Sequence, residues 1–347
     1  MMQSIMPRPT SPTGGRVRFL PRSGAGIVEA KSLDTCDCFS QRVSSGCIID
    51  LELILKVWIP DLENEVFVGS YGALQEVLFE DSWDKKIGRH RASFAFRGVS
   101  DAGWTMPSSL QRLSGPYRDL ERHLLRNFKK YALRNVVERD NFWHWLTVGQ
   151  HHGLPTRLLD WTFSPLVGLH FATANSDHRE KDGAVWKVDI NEVHQKLPDE
   201  LKGVLRDEGS FVFSIEMLEH QSESSFETNK INNDRIEVNV VPGKKIDSLT
   251  SFDQFSNDPF CVFFEPPSLD DRVVNQYALF SVISDPELEF DDWLVKRSVR
   301  YKKIVIPAGL KQEIRDKLDQ QNVTERVLFP GLDGLSTWLK RHYGPSK

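Results

Sequence analysis

At 347 residues, with 39% hydrophobic and 27% charged residues, the chain can bury one large core or two ordinary ones and has a globular composition. A net charge of −5 argues against global nucleic-acid or membrane affinity. No apolar run reaches the roughly 20 residues that span a bilayer, Met1–Met6 lacks the apolar core of a secretory signal, and Cys36, Cys38, Cys47 and Cys261 match neither a zinc spacing nor a disulfide framework, so the expectation is a cytoplasmic protein with free thiols and no metal site.

Residues 1–47 are rich in Pro, Ser, Gly and Arg and read as a flexible segment ahead of one domain over 48–347. Gly72 to Phe79 carries apolar residues at helical spacing, and Ala92 to Arg97 alternates like a half-buried strand that ends at Gly98. Residues 118–137 form an amphipathic helix with Leu120, Leu124, Leu125, Phe128 and Ala132 on one face. Phe142 to Gln150 is a second helix that stops before Gly153-Leu154-Pro155. Pro165 suits the first turn of a short helix through Ala174. Ala184 to Ile190 is a buried strand, and the stretch around 198–257 is polar and poorly periodic, as expected of a surface insertion. Strand patterns return at Cys261–Glu265, Tyr277–Ile283 and Tyr301–Ile306, followed by a helix over 308–320 and a last short helix holding Trp338. This order predicts an α+β fold with a mixed sheet flanked by helices, not a regular βαβ alternation.

Polar residues concentrate in two motif blocks. The first is Phe96-Arg97-Gly98 with Trp104, Pro107 to Leu110 and Arg112; the second runs from Gln150 to Thr162 and on through Ser164-Pro165 and Phe171-Ala172. Arg272 with Gln276, Leu279 and Phe280, and then Leu328 to Gly334, complete the pattern. Together these stretches resemble the FRG domain family, named for its Phe-Arg-Gly motif. The resemblance implies a bacterial or phage protein of a toxin or defence setting, with an antitoxin or defence-system partner, and supplies no reaction.

A looser resemblance is to the ADP-ribosyltransferases, which place an Arg or His on a first strand, a Ser/Thr turn before a helix, and a Glu on a later strand. Arg97, Thr162 and Gln276 stand at these places. The resemblance implies an ADP-ribosyltransferase-like fold, NAD as substrate, and a protein or nucleic acid as acceptor. It implies Arg97, Asp160, Thr162 and Gln276 as catalytic residues and Arg97, His152, Arg157, Trp161 and Thr162 as cofactor contacts. The chemistry asks for a cation at the diphosphate, which a guanidinium supplies, and for a carboxylate that stabilises the oxocarbenium ribose. Gln276 is an amide, so either Asp160 or Glu265 substitutes for that carboxylate or the activity is altered.

Structural alternatives stand beside each role. Arg97 could be a buried Arg paired with Asp101 or Asp160, and Arg157 could pair with Asp160 across the turn. Trp104 and Trp161 could be core, and Thr162 a turn former. His144, His151 and His152 invite a metal reading, but adjacent histidines point apart and no Cys or carboxylate completes a site. There is no Gly-x-Ser-x-Gly elbow and no phosphate loop. The alternative function is a non-catalytic nucleotide- or nucleic-acid-binding module using Arg118, Arg122, Arg126, Lys129, Lys130, Arg134 and Arg139, although Asp119, Glu121 and Glu138 are interspersed.

Overall fold

A computed structural model describes residues 64–132, 137, 140–219, 225–231, 235–241, 245–268 and 270–344; the segment 1–47 and residues Arg134 and Arg139 lie outside them. The described residues begin with β1 (Glu65–Phe67) and α1 (Tyr71–Phe79), a small hairpin of β2 (Trp83–Asp84) and β3 (Arg89–His90), and β4 (Phe94–Val99). Helices α2 (Tyr117–Tyr131) and α3 (Phe142–His151) precede β5 (Leu159–Thr162), α4 (Pro165–Thr173), β6 (Gly183–Asp189) and α5 (Ile190–His194). Then come α6 (Asp199–Asp207), α7 (Ile215–Glu219), a hairpin of β7 (Ser225–Ile231) and β8 (Arg235–Val241), α8 (Leu249–Asp253), β9 (Cys261–Phe264) and α9 (Asp271–Asn275). Strand β10 (Ala278–Ile283), α10 (Phe290–Lys296), β11 (Tyr301–Ile306), α11 (Lys311–Gln320), α12 (Glu325–Leu328) and α13 (Leu332–His342) follow.

Seven strands form one mixed sheet in the order β1-β11-β6-β4-β5-β10-β9, parallel between β1 and β11 and antiparallel elsewhere. This is the α+β architecture expected from the element order. Side chains alternate across the sheet. One face carries Ala95, Val99, Leu159, Trp161, Trp186, Val188, Phe263 and Leu279, packed against Ile190 and Val193 of α5 and Phe290, Trp293 and Leu294 of α10. The other face is covered in two halves. Leu74 and Leu78 of α1, Leu169 and Ala172 of α4, and Ile314 and Leu318 of α11 meet Phe94, Phe96 and Val185. Further along, Leu125 of α2 and Trp143 and Leu146 of α3 meet Val262, Phe264, Phe280 and Val282.

Local chemistry sets the helix starts beside the site. Asn141 accepts from the His144 amide and opens α3; Ser164 accepts from the Val167 amide, with Pro165 in the first turn of α4. The stretch around 198–257 is not simply a polar insertion. Leu201, Leu205, Phe213, Ile215 and Leu218 on one side, and Ile246, Leu249, Phe252 and Phe255 on the other, are buried in the core under α2 and α3. Helix α2 ends at Tyr131, short of 137, where Ala132 turns to extended backbone. No helix among the described residues is long and apolar enough to cross a membrane.

Two buried histidines give the fold an acid limit. The Phe263 amide donates to His194 Nε2 at 2.9 Å, so the ring proton sits on Nδ1, 2.9 Å from the Phe211 carbonyl. Burial, opposed by that carbonyl, pulls His194 down to about 4, and burial with the neighbouring Arg315 charge pulls His170 down to about 3. Both rings are neutral in the fold and take up a proton near pH 6.5 once unfolded, so stability is full above that pH and lost as pH falls toward the folded values. His194 alone should cost about 3 kcal/mol of stability between pH 7 and pH 4. Denaturant unfolding across this range checks it: His194→Gln should flatten the slope, and equal slopes in both proteins would rule out this origin.

Candidate functional site

Where the two helical halves part, the face of β4, β5 and β10 is left open. A pocket of about 310 Å³ lies there, bounded by the end of α3, by α9 and by Phe171 of α4. Alternation decides most of the side chains that reach it, but not Arg97, which is in register with Trp186 of the opposite face and borders the pocket where β4 and β5 part. Asp160 pairs in register with Phe280, and Thr162 with Ala278 and Phe96, so these residues share the pocket face. Leu159, Trp161 and Leu279 go to the opposite core.

Arg97 is the central cation. Strands β4 and β5 have a single registered pair, Phe96 with Thr162, and past it Arg97 Nη1 donates to the Asp160 carbonyl at 2.5 Å. The Asp160 carboxylate stands 4.0 Å from Nη1 and is largely solvent-facing, while the Arg97 side chain is only 16% exposed. Arg97 Nε is buried and has no hydrogen-bond partner among the described residues. Burial pulls the guanidinium below its ordinary value; the Asp160 charge opposes this and Arg112 adds to it. Arg97 is thus a desolvated cation, incompletely matched, at the wall of a pocket. Such a group is costly to hold without an anion.

The pocket brings together five of the seven residues singled out in the sequence: Arg97, Asp160, Trp161, Thr162 and Gln276. Their side chains differ in availability. The Thr162 hydroxyl donates to the Gln276 carbonyl at 2.7 Å and accepts from the Ser164 amide at 3.0 Å, so it fixes the turn into α4 and the end of α9. Gln276 follows α9 as its cap and does not open the strand; its Nε2 donates to the Leu328 carbonyl at 2.9 Å. The Trp161 indole donates to Ser281 Oγ and packs on Phe263 and Phe290, so its ring belongs to the core and not to the pocket.

His152 and Arg157 are not among the lining residues. His152 caps α3 on the exposed side, its ring edge-on to that of His151. Arg157 makes no pair with Asp160. It is buried against Glu121 and Asp253 and borders a void of about 10 Å³, room for about one water. Glu265 follows β9 on the surface, and it too is not a lining residue.

Three polar lining residues stood in the motif stretches without an assigned catalytic or cofactor role. Gln150 Nε2 donates to Asp160 Oδ2 at 2.9 Å and orients that carboxylate. His151 Nε2 lies 2.9 Å from Asp270, which caps α9. Arg272 lies over the Phe329 ring at 5.2 Å, and no carboxylate among the described residues pairs with it. Arg272 and Gln276 are four apart, one helical turn, and that spacing marks both as facing the same pocket. The arrangement can bind an anion between Arg97 and Arg272, set an aromatic body against Phe171 and Phe280, and present one oriented carboxylate.

The basic helix offers less. Arg118 is held by Asp253 and Asp285, Arg122 by Asp119 and Lys129 by Asp140, so much of the positive face of α2 is already neutralised. Residues 92–181 match the FRG domain model, a span that holds the Phe-Arg-Gly strand, β5 and α4. No curated protein and no solved structure matches the chain.

Proposed function

We propose that the pocket binds NAD and that the chain is an ADP-ribosyltransferase-like enzyme that moves ADP-ribose onto a macromolecule, as a toxin or phage-defence effector held in check by a partner. The observation that carries this reading is the Arg97 guanidinium, buried at the wall of a pocket with one nitrogen unpartnered among the described residues. A diphosphate in the pocket supplies negative charge to a cation that Asp160, 4.0 Å away, only partly balances, and Arg272 provides a second cation for the same group. The volume, near the lower end of ligand sites, suits the nicotinamide and ribose half with the remainder extending outward.

In this reading Asp160 is the catalytic carboxylate. The bond from ribose C1′ to the nicotinamide nitrogen breaks, and nicotinamide leaves as a neutral base with the electron pair. Asp160, oriented by Gln150, stabilises the positive ribose. An acceptor hydroxyl, amine or water then bonds to C1′, and its proton passes to Asp160 or to solvent. Thr162 and Gln276 act as positioning residues, because the hydroxyl proton and the amide nitrogen are both engaged by backbone carbonyls.

Purified protein given labelled NAD and cell lysate should transfer label or release nicotinamide. Arg97→Ala should lower kcat/KM about 10²- to 10³-fold, and Asp160→Asn should lower kcat with KM little changed. The second reading, a nucleotide-binding module without turnover, is favoured by the amide at position 276, which carries no negative charge and is engaged by the Leu328 carbonyl. Calorimetric binding of NAD that Arg97→Ala abolishes, without nicotinamide release, would select it. Neither binding nor release would remove both.

A further inference from the structure

We propose that the cleft between the C-terminal end of α4, the start of α11 and the end of α13 is a second ligand site, built for a small polyanion of the polyphosphate class. The cleft encloses about 450 Å³ and shares no lining residue with the Arg97 pocket. Five cationic side chains line it, Arg179, Lys311, Arg315, Lys340 and Arg341, against a single carboxylate, that of Glu325. Glu325 is divided between Arg315 at 2.6 Å and Arg341 at 2.9 Å, and Asp319 takes the other edge of Arg341. Arg179, Lys311 and Lys340 have no carboxylate at ion-pair distance among the described residues.

Two of these cations are held in the wall. Lys311 and Arg315 are each only 3% exposed. The Lys311 ammonium donates to the Ser100 and His178 carbonyls at 2.8 Å each. Arg315 bonds His170 and Glu325 through its terminal nitrogens, while its Nε is buried with no partner among the described residues. Burial pulls both groups below their ordinary values, Asp182 opposing it at Lys311 and Glu325 at Arg315. An entering anion offsets that cost. Exposed Arg179 and Lys340 stand at the rim, where charge draws an anion in. Cations from three separate elements around a recess of this size fit a compact ligand carrying several phosphoryl groups. A duplex would instead need an extended face.

Tripolyphosphate is the probe, followed by calorimetry and thermal melting at low salt. Wild-type protein should bind it, and the exposed double variant R179E/K340E should bind about tenfold or more weakly, since two charge-assisted contacts are lost and replaced by repulsion. K85E/K86E, the same charge change at two exposed residues that line neither site, should bind as the wild type does. Arg97→Ala should also retain this binding, which separates the site from the first pocket. No binding by the wild type, equal loss in both double variants, or loss in Arg97→Ala with retention in R179E/K340E would each overturn the proposal. ATP run alongside tells a nucleotide from free polyphosphate: equal affinity means that the phosphates alone are read. Short RNA or DNA bound in preference to tripolyphosphate would likewise overturn it.

Discussion

Gly98→Ala should destabilise the protein by about 3 kcal/mol or more, because the added methyl has nowhere to go. A Cβ at position 98 would lie 1.9 Å from the Gly168 carbonyl oxygen and 2.5 Å from the Ala172 amide nitrogen. Both are backbone atoms of α4, which rests directly on β4, and neither can turn aside as a side-chain tip would. Gly168 completes the close approach from the helix side; its own Cβ would be 3.1 Å from that of Phe96. Removing the freedom of a glycine from the unfolded chain returns only about 0.4–1 kcal/mol, so the clash wins. Gly72→Ala is the matched control. Its Cβ would meet nothing nearer than Ser70 Oγ at 3.9 Å, within helix α1, so it should be neutral or stabilising by up to about 1 kcal/mol. Denaturant midpoints of the two variants decide the matter: a loss below about 1 kcal/mol for Gly98→Ala would mean that α4 can lift from the sheet.

The Phe-Arg-Gly motif therefore has three separate causes within three residues. Phe96 is core, Arg97 walls the pocket, and Gly98 admits the helix. The motif was legible as a motif, and the strand and helix around it were legible from periodicity, but the demand for glycine depends on a helix seventy residues away. Helices α3 and α4 were readable because Asn141 and Ser164-Pro165 announce their starts. The core contribution of 198–219 and 245–255 was not. Helix α8 spans five residues and buries only Leu249 and Phe252, too short a run for an apolar period to rise above its polar surroundings. At the site, residue types pointed to Arg97 and Asp160. The engagement of Thr162 and Gln276 by backbone carbonyls could not be read from the sequence, because hydrogen-bond partners between α9, α12 and β5 exist only once the sheet has formed.

Arg157 shows the same limit at higher energy. In the sequence Glu121 looks like an acid interspersed on a solvated basic helix; in the fold it is 1% exposed and receives the Arg157 Nε at 2.6 Å and the Arg157 backbone amide at 3.1 Å. Asp253 takes the Arg157 Nη1 at 2.5 Å and also holds Arg118 at 2.9 Å, so α2, β5 and α8 meet at one guanidinium. Burial alone would lower Arg157, but the Glu121 and Asp253 carboxylates outweigh it and hold the group above its ordinary value. Removing Glu121 leaves a buried cation short of a partner, and removing Arg157 leaves two carboxylates facing each other. Glu121→Leu or Arg157→Met should each cost about 3–5 kcal/mol. The double variant should cost less than the sum, because it removes both members of the Glu121–Arg157 pair and leaves Asp253 held by Arg118. Denaturant unfolding of the three proteins measures the coupling. A loss below about 1 kcal/mol for Glu121→Leu, or strict additivity in the double variant, would show that the pair carries no such energy. Because Arg157 begins the turn into β5, the single variants should also weaken ligand binding at Asp160 three residues on. That loss should track their stability and recover in the double variant, which distinguishes a support for the pocket from a contact with its ligand.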